Sequence, residues 1–268
     1  MAVIVCASGP GSPGVTTSAL GLALSWPGSV LLADCDREPA QSIQAGYLRG
    51  LDHGGRGLSG IARLHRENRP IAPELWHHTV ALTEEPDVAR RFLPGFSLPA
   101  AVRLFDVVWP ELADAFAAIE TQGMDVIVDA GRVGRDGLPL PLLARADAVC
   151  FISRTSLRSL AGARLYLQLL SNQLGQLPVD KLLGLVLIGP DRPYSSREIC
   201  AQFGVECWAE LGWSPTLAAV LSDGEPEPRN FSNRGLMSQY RAFGMRVRER
   251  IRGARELERA LTARTAHV

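Results

Sequence analysis

Lysine is almost missing from this chain: of its 28 basic residues only Lys181 is lysine, and the rest are arginine. So extreme a ratio is what a GC-rich coding bias produces, yet a site that depends on lysine would resist that drift. Net charge is also missing, since 28 acidic residues match the 28 basic ones. No global field therefore recruits nucleic acid or an anionic membrane, and any such contact has to come from a local patch. Apolar runs near the roughly 20 residues of a membrane span do not occur. Met1-Ala2 leads straight into an apolar segment with no basic stretch before it, so no secretory leader is expected. The five cysteines (Cys6, Cys35, Cys150, Cys200, Cys207) form no CxxC pair and no disulfide framework. They read as small buried hydrophobes of a reducing cytoplasm.

What is present is ample apolar material, 46% of 268 residues, enough to bury a sizeable core. Continuous apolar runs at 2–6, 30–33, 126–128, 148–152 and 182–188 have the character of strands covered on both faces. Between them, residues 104–119 and 157–174 carry apolar side chains at helical spacing. The alternation predicts an α/β fold, a doubly wound, mostly parallel sheet with helices on both faces, in a single domain over 1–268. Residues 49–73 read as the least regular stretch and 222–228 as a second loop. A basic C-terminal helix is predicted over about 233–262; from Arg241 to Arg264 it holds eight arginines against three glutamates. Phe243, Val247, Ile251 and Ala254 give it one apolar face. Two readings stand for its basic face, a solvated surface or a contact with DNA phosphates or anionic lipid.

The first strand ends in Gly9-Pro10-Gly11-Ser12-Pro13-Gly14-Val15-Thr16-Thr17, which has the spacing of a phosphate loop with Val15 in the lysine position. Such a loop works through backbone N–H groups and a helix N-terminus aimed at anionic oxygens. Pro10 and Pro13 remove two donors, and Val15 brings no charge. Alone, this segment is equally a tight strand-to-helix turn.

Two further elements break that tie. Leu31-Leu32-Ala33-Asp34-Cys35-Asp36-Arg37-Glu38-Pro39 and Met124-Asp125-Val126-Ile127-Val128-Asp129-Ala130-Gly131 follow in order. With the loop, they resemble the three nucleotide-site motifs of the MinD/ParA family of deviant P-loop (SIMIBI-class) ATPases. Leu93-Pro94-Gly95 and Trp109-Pro110-Glu111-Leu112 fit the same pattern, and the similarity runs from Val3 to about Arg250.

The resemblance implies a P-loop NTPase fold and ATP or ADP bound weakly with Mg²⁺ by Gly11, Ser12, Gly14, Val15, Thr16 and Thr17. It implies that Thr16 ligates the metal directly and Asp129 through water, and that Asp36 orients the attacking water. Capping of the following turns is the competing role for both acids. Both family lysines are lost, at Pro10 and Val15. Arg37, Arg132 and Arg135 are the nearby arginines that could stand in. Without the lysines the resemblance implies slow or absent hydrolysis. The loop resembles those of the degenerate branches that include TadZ/CpaE-type localisation proteins and septum-site-determining proteins. The function implied is a positioning or assembly factor in chromosome partitioning, septum-site selection or pilus-machinery localisation. It would be cytoplasmic, with peripheral membrane association through the basic helix, and would work as a homodimer or with a protein partner. Two other readings stand beside it, a pseudo-ATPase interaction module that binds no nucleotide and an active ATPase using arginine in place of lysine.

Overall fold

A computed structural model describes residues 2–12, 14–85, 87–119, 123–190 and 193–265, with the backbone alone at 264 and 265. The donor missing at Pro13 and the side chain of Arg264 lie outside the described residues. The strands are β1 (Val3–Ser8), β2 (Val30–Asp34), β3 (Val80–Ala81), β4 (Arg90–Leu93), β5 (Asp125–Arg132), β6 (Ala148–Arg154), β7 (Leu182–Ile188) and β8 (Cys207–Leu211). They form one sheet in the order β3-β4-β2-β5-β1-β6-β7-β8. Every pairing is parallel except the short β3, which runs antiparallel to β4 at one edge.

The helices are α1 (Val15–Leu24), α2 (Ser42–Ala45), α3 (Leu58–Arg66), α4 (Ile71–Glu74), α5 (Ala101–Leu104), α6 (Trp109–Ala118), α7 (Leu140–Arg145), α8 (Leu157–Leu174), α9 (Ser196–Phe203), α10 (Pro215–Ser222) and α11 (Gly235–Thr265). Alternate residues of the central strands feed two cores. Val3, Val5 and Ala7 of β1 join one face with Phe96, Trp109, Phe116 and Leu170. Ile4 and Cys6 join the other with Leu20, Leu22, Trp26, Tyr240 and Phe243. Strands covered on both faces need no polar alternation, which is why these runs are continuously apolar.

Three boundaries differ from the sequence expectations. The stretch 49–73 contains α3, whose Leu58, Ile61 and Leu64 turn a short helical stripe into the core. Of the helix expected over 104–119, α6 is the helical part, because α5 ends at Leu104 and 105–108 form a turn after it. Pro110 takes the first turn of α6, where its missing N–H costs nothing. The C-terminal helix starts at Gly235, after a 3₁₀ turn at Phe231–Asn233, and runs to Thr265. Among the described residues, no helix is long and apolar enough to cross a membrane.

Candidate functional site

Three adjacent strands, β2, β5 and β1, end together at the C-terminal edge of the sheet, the edge where open α/β sheets bind ligands. Their register puts Asp34 beside Asp129 and Asp129 beside Cys6. The loop after β1 turns tightly, with the Ser12 amide donating to the Gly9 carbonyl at 3.3 Å. Gly11 has φ +78 and open space around it, while Gly14 has φ +119 and serves as the N-cap of α1 without a side-chain cap. No acidic residue occupies the first turn of α1. Its leading amides, which no helix can satisfy internally, are therefore not spoken for by a capping side chain.

The residues named from sequence divide into those that line this edge and those that do not. Thr16 and Thr17 are half-buried at the start of α1, and Gly11 is exposed. Ser12 is buried, its hydroxyl 3.2 Å from that of Ser153 on β6. Val15, in the lysine position, turns away into the core that holds Ala19 and Leu20. A second hydroxyl pins the loop from outside: Ser159 donates to the Gly11 carbonyl at 2.8 Å. Neither Ser153 nor Ser159 is signalled by sequence, because each lies more than 140 residues from its partner.

The acids form a graded set. Asp129 is fully buried, its Oδ1 accepts the Gly131 amide at 3.0 Å, and its Oδ2 has no hydrogen-bond partner among the described residues. Burial raises its pKa to about 7, against a downward pull from the nearby Thr16 hydroxyl. Asp34 is raised further, to about 8, by burial and then by the charge of Asp129. Its carboxylate packs on Gly95, where a Cβ would come within 2.6 Å of Cγ. Asp36 is raised by burial, although Arg132 and Arg37 oppose the shift. It lies over Gly131 and accepts the Glu38 amide at 2.8 Å. The capping role foreseen for these acids is thus present at Asp36 and Asp129, alongside the juxtaposition with the loop.

The arginines considered as stand-ins are engaged elsewhere. Arg37 donates to the Gly137 carbonyl, Arg132 pairs with Glu38 at 3.3 Å, and Arg135 pairs with Asp136 at 3.4 Å. On this side the site therefore gathers three acids, and its three described arginines are bound to other oxygens.

No group of three or more His, Cys, Asp or Glu side chains among the described residues could hold a metal ion by itself. Magnesium brought with a polyphosphate is a different case, because the phosphates supply most of its ligands. Asp129, near the Thr16 hydroxyl and with no hydrogen bond to its Oδ2 among the described residues, fits that arrangement, in which Thr16 would be the ligand and Asp129 would act through water. When bound, the ion would offset phosphate charge that lysine neutralises in an ordinary loop.

The sequence matches no family model and no curated protein. Solved structures do match. A ParA family ATPase from Chlorobium tepidum superposes with a TM-score of 0.70 at 17% identity, over 91% of this chain and 98% of its own. The MinC:MinD cell division protein complex of Aquifex aeolicus gives 0.69 at 16% identity, over 93% and 96%. The septum site-determining protein MinD of Pyrococcus horikoshii, solved with Mg-ADP, gives 0.65 at 15% identity, over 92% and 95%. The chain has the α/β P-loop fold of the ParA and MinD ATPases.

Proposed function

We propose that this protein is a ParA/MinD-like nucleotide-binding protein that holds ATP or ADP with Mg²⁺ and hydrolyses it slowly or not at all. The observation that carries the reading is Asp129, wholly buried near the Thr16 hydroxyl at the mouth of the loop, with no hydrogen bond to its Oδ2 among the described residues. A buried carboxylate oxygen without a donor is costly, and a hydrated cation is one chemistry that relieves it. Gly11, Ser12, Gly14, Val15, Thr16 and Thr17 would hold the phosphates through backbone amides and the Thr16 hydroxyl. Slow turnover follows from charge, since removal of one positioned donor of this kind typically costs roughly 10²–10³-fold in rate. Asp36, half-buried at the same mouth, would orient water in whatever turnover remains.

In this reading the protein is a cytoplasmic positioning or assembly factor for chromosome partitioning, septum-site selection or pilus-machinery localisation. It acts as a homodimer or on a protein partner. The parent fold supports it: MinD of Aquifex aeolicus was solved with MinC, and that of Pyrococcus horikoshii with Mg-ADP. The basic helix adds a contact to DNA or anionic lipid through Arg246, Arg248 and Arg259, exposed arginines with no ion pair among the described residues. Arg250, Arg252 and Arg255 are already paired with Glu206, Glu256 and Asp147, so the patch is smaller than the sequence suggests. Changing the three exposed arginines to glutamine should abolish any DNA retardation or liposome co-sedimentation; unchanged binding removes α11 as the contact.

The second reading is the pseudo-ATPase module, favoured by Val15 folded into the core and a loop pinned by Ser153 and Ser159. A fluorescent-ATP titration with Mg²⁺ separates the two. Saturable binding that is lost in Thr16→Ala supports the first, and no binding at millimolar nucleotide leaves the second.

A further inference from the structure

The loop needs a cation, and its acidic side supplies none, because Arg37, Arg132 and Arg135 are all held by other oxygens. The opposite side of the loop differs. Arg154 ends β6 directly after Ser153, whose hydroxyl meets that of Ser12 at 3.2 Å. Thr155, the next residue, donates its amide to the Ile188 carbonyl at 3.2 Å. Ile188 in turn packs so closely on Gly14 that a Cβ there would lie 3.0 Å from its Cδ1. Ser153, the residue before Arg154, thus meets one arm of the loop, and Ile188, paired with Arg154 across β6 and β7, packs on the other.

Its guanidinium has no carboxylate within salt-bridge distance among the described residues. It rests instead on the ring of Trp213, 3.8 Å from the centroid. The pair lines a cavity of about 110 Å³ with Thr155, Ser156, Ile188 and Gly189. Trp213 is 48% exposed. An aromatic face this open to water holds a guanidinium less firmly than phosphate does, because phosphate offers charge-assisted, bidentate hydrogen bonds.

We propose that Arg154 is the phosphate-binding cation of this lysine-less loop, resting on Trp213 in the free protein and passing to the phosphates when a polyphosphate binds. The proposal rests on the nucleotide-binding reading above and names the residue that makes such binding possible. It also accounts for a half-buried arginine that has no carboxylate within salt-bridge distance among the described residues, on the far side of a loop flanked by Asp34, Asp36 and Asp129.

The test is a titration of the full chain, with Mg²⁺, by ATP, inorganic tripolyphosphate and adenosine. Wild type, Arg154→Ala, Arg154→Lys and Trp213→Phe are compared after thermal melts confirm that each folds. The expected result is a loss of about 10–100-fold in affinity for ATP and tripolyphosphate in Arg154→Ala, from a lost charge-assisted contact. Arg154→Lys recovers part of it, and adenosine binding does not change. Indole emission shifts when ATP binds the wild type, and the shift is missing in Trp213→Phe. If Arg154→Ala binds ATP within about twofold of wild type, the proposal is overturned while nucleotide binding stands. Weakened binding with no emission change overturns the transfer from Trp213. If the wild type itself binds nothing at millimolar Mg-ATP, the nucleotide reading falls, and this proposal with it.

Discussion

At the scale of the residue, the acids at the loop mouth govern the pH response of the fold. Asp129 and Asp34 have their pKa values raised to about 7 and about 8, from an ordinary carboxylate value of 3.8. Between pH 4 and pH 8 the folded chain therefore keeps protons that the unfolded chain has already lost. Stability is fully present below pH 4 as far as these two groups are concerned, and it falls as pH rises through 7 and 8. Each raised unit corresponds to about 1.4 kcal/mol, and because the two carboxyls interact the pair loses less than the sum of its separate shifts. Asp129→Asn, which keeps the shape and removes the charge, should raise the urea midpoint at pH 8 and flatten its decline from pH 5 to pH 8. A wild-type midpoint that does not fall over that interval contradicts the burial argument. Gly131 offers a steric counterpart. Its φ is +63, and a Cβ would lie 2.0 Å from Asp36 Cγ. Gly131→Ala should cost about 1–3 kcal/mol through left-handed strain, with Asp36 pushed from its seat. A denaturation midpoint equal to that of wild type shows that the turn adapts freely.

At the scale of the element, α11 joins two different segments. Leu236, Met237, Tyr240, Phe243, Val247 and Ile251 are buried at helical spacing, with Tyr240 seated on Gly21 of α1. Beyond Glu256 the side chains described are exposed. Phe243→Ala should cost about 3–5 kcal/mol in chemical denaturation. Ending the chain at Arg255 should change stability by less than about 1 kcal/mol. Equal effects from the two changes place the stabilising contacts elsewhere. The same element shows what sequence conveys and what it does not. The apolar stripe of α11 is legible because its period is local, and so are the β1 turn and the runs that end in Asp34 and Asp129. The pairing of its arginines was hidden, since Glu206 and Asp147 lie 44 and 108 residues from Arg250 and Arg255. Ser153, Ser159 and Arg154 were invisible for the same reason, because only the order β5-β1-β6 brings them to the loop. The break between α5 and α6 was missed because apolar spacing continues across it while the backbone turns.

At the scale of the whole molecule, the two charged features occupy opposite ends of the sheet. The loop and its acids sit where β1, β2 and β5 finish, while Arg255 reaches Asp147 just before β6 begins. A cavity of about 710 Å³ at that far end is lined by Ala2, Asp125, Arg248, Arg252 and Arg259, among others. Substitutions at the two ends share no partners and should act additively on stability. The central claim is that a P-loop fold without its lysine still holds Mg-nucleotide and turns it over slowly at most. Phosphorus NMR of Mg-ATP with a stoichiometric amount of protein reads both halves at once. The account predicts shifted and broadened β- and γ-phosphate resonances, with almost no inorganic phosphate after an hour; resonances identical to those of free Mg-ATP, or rapid release of phosphate, contradict it.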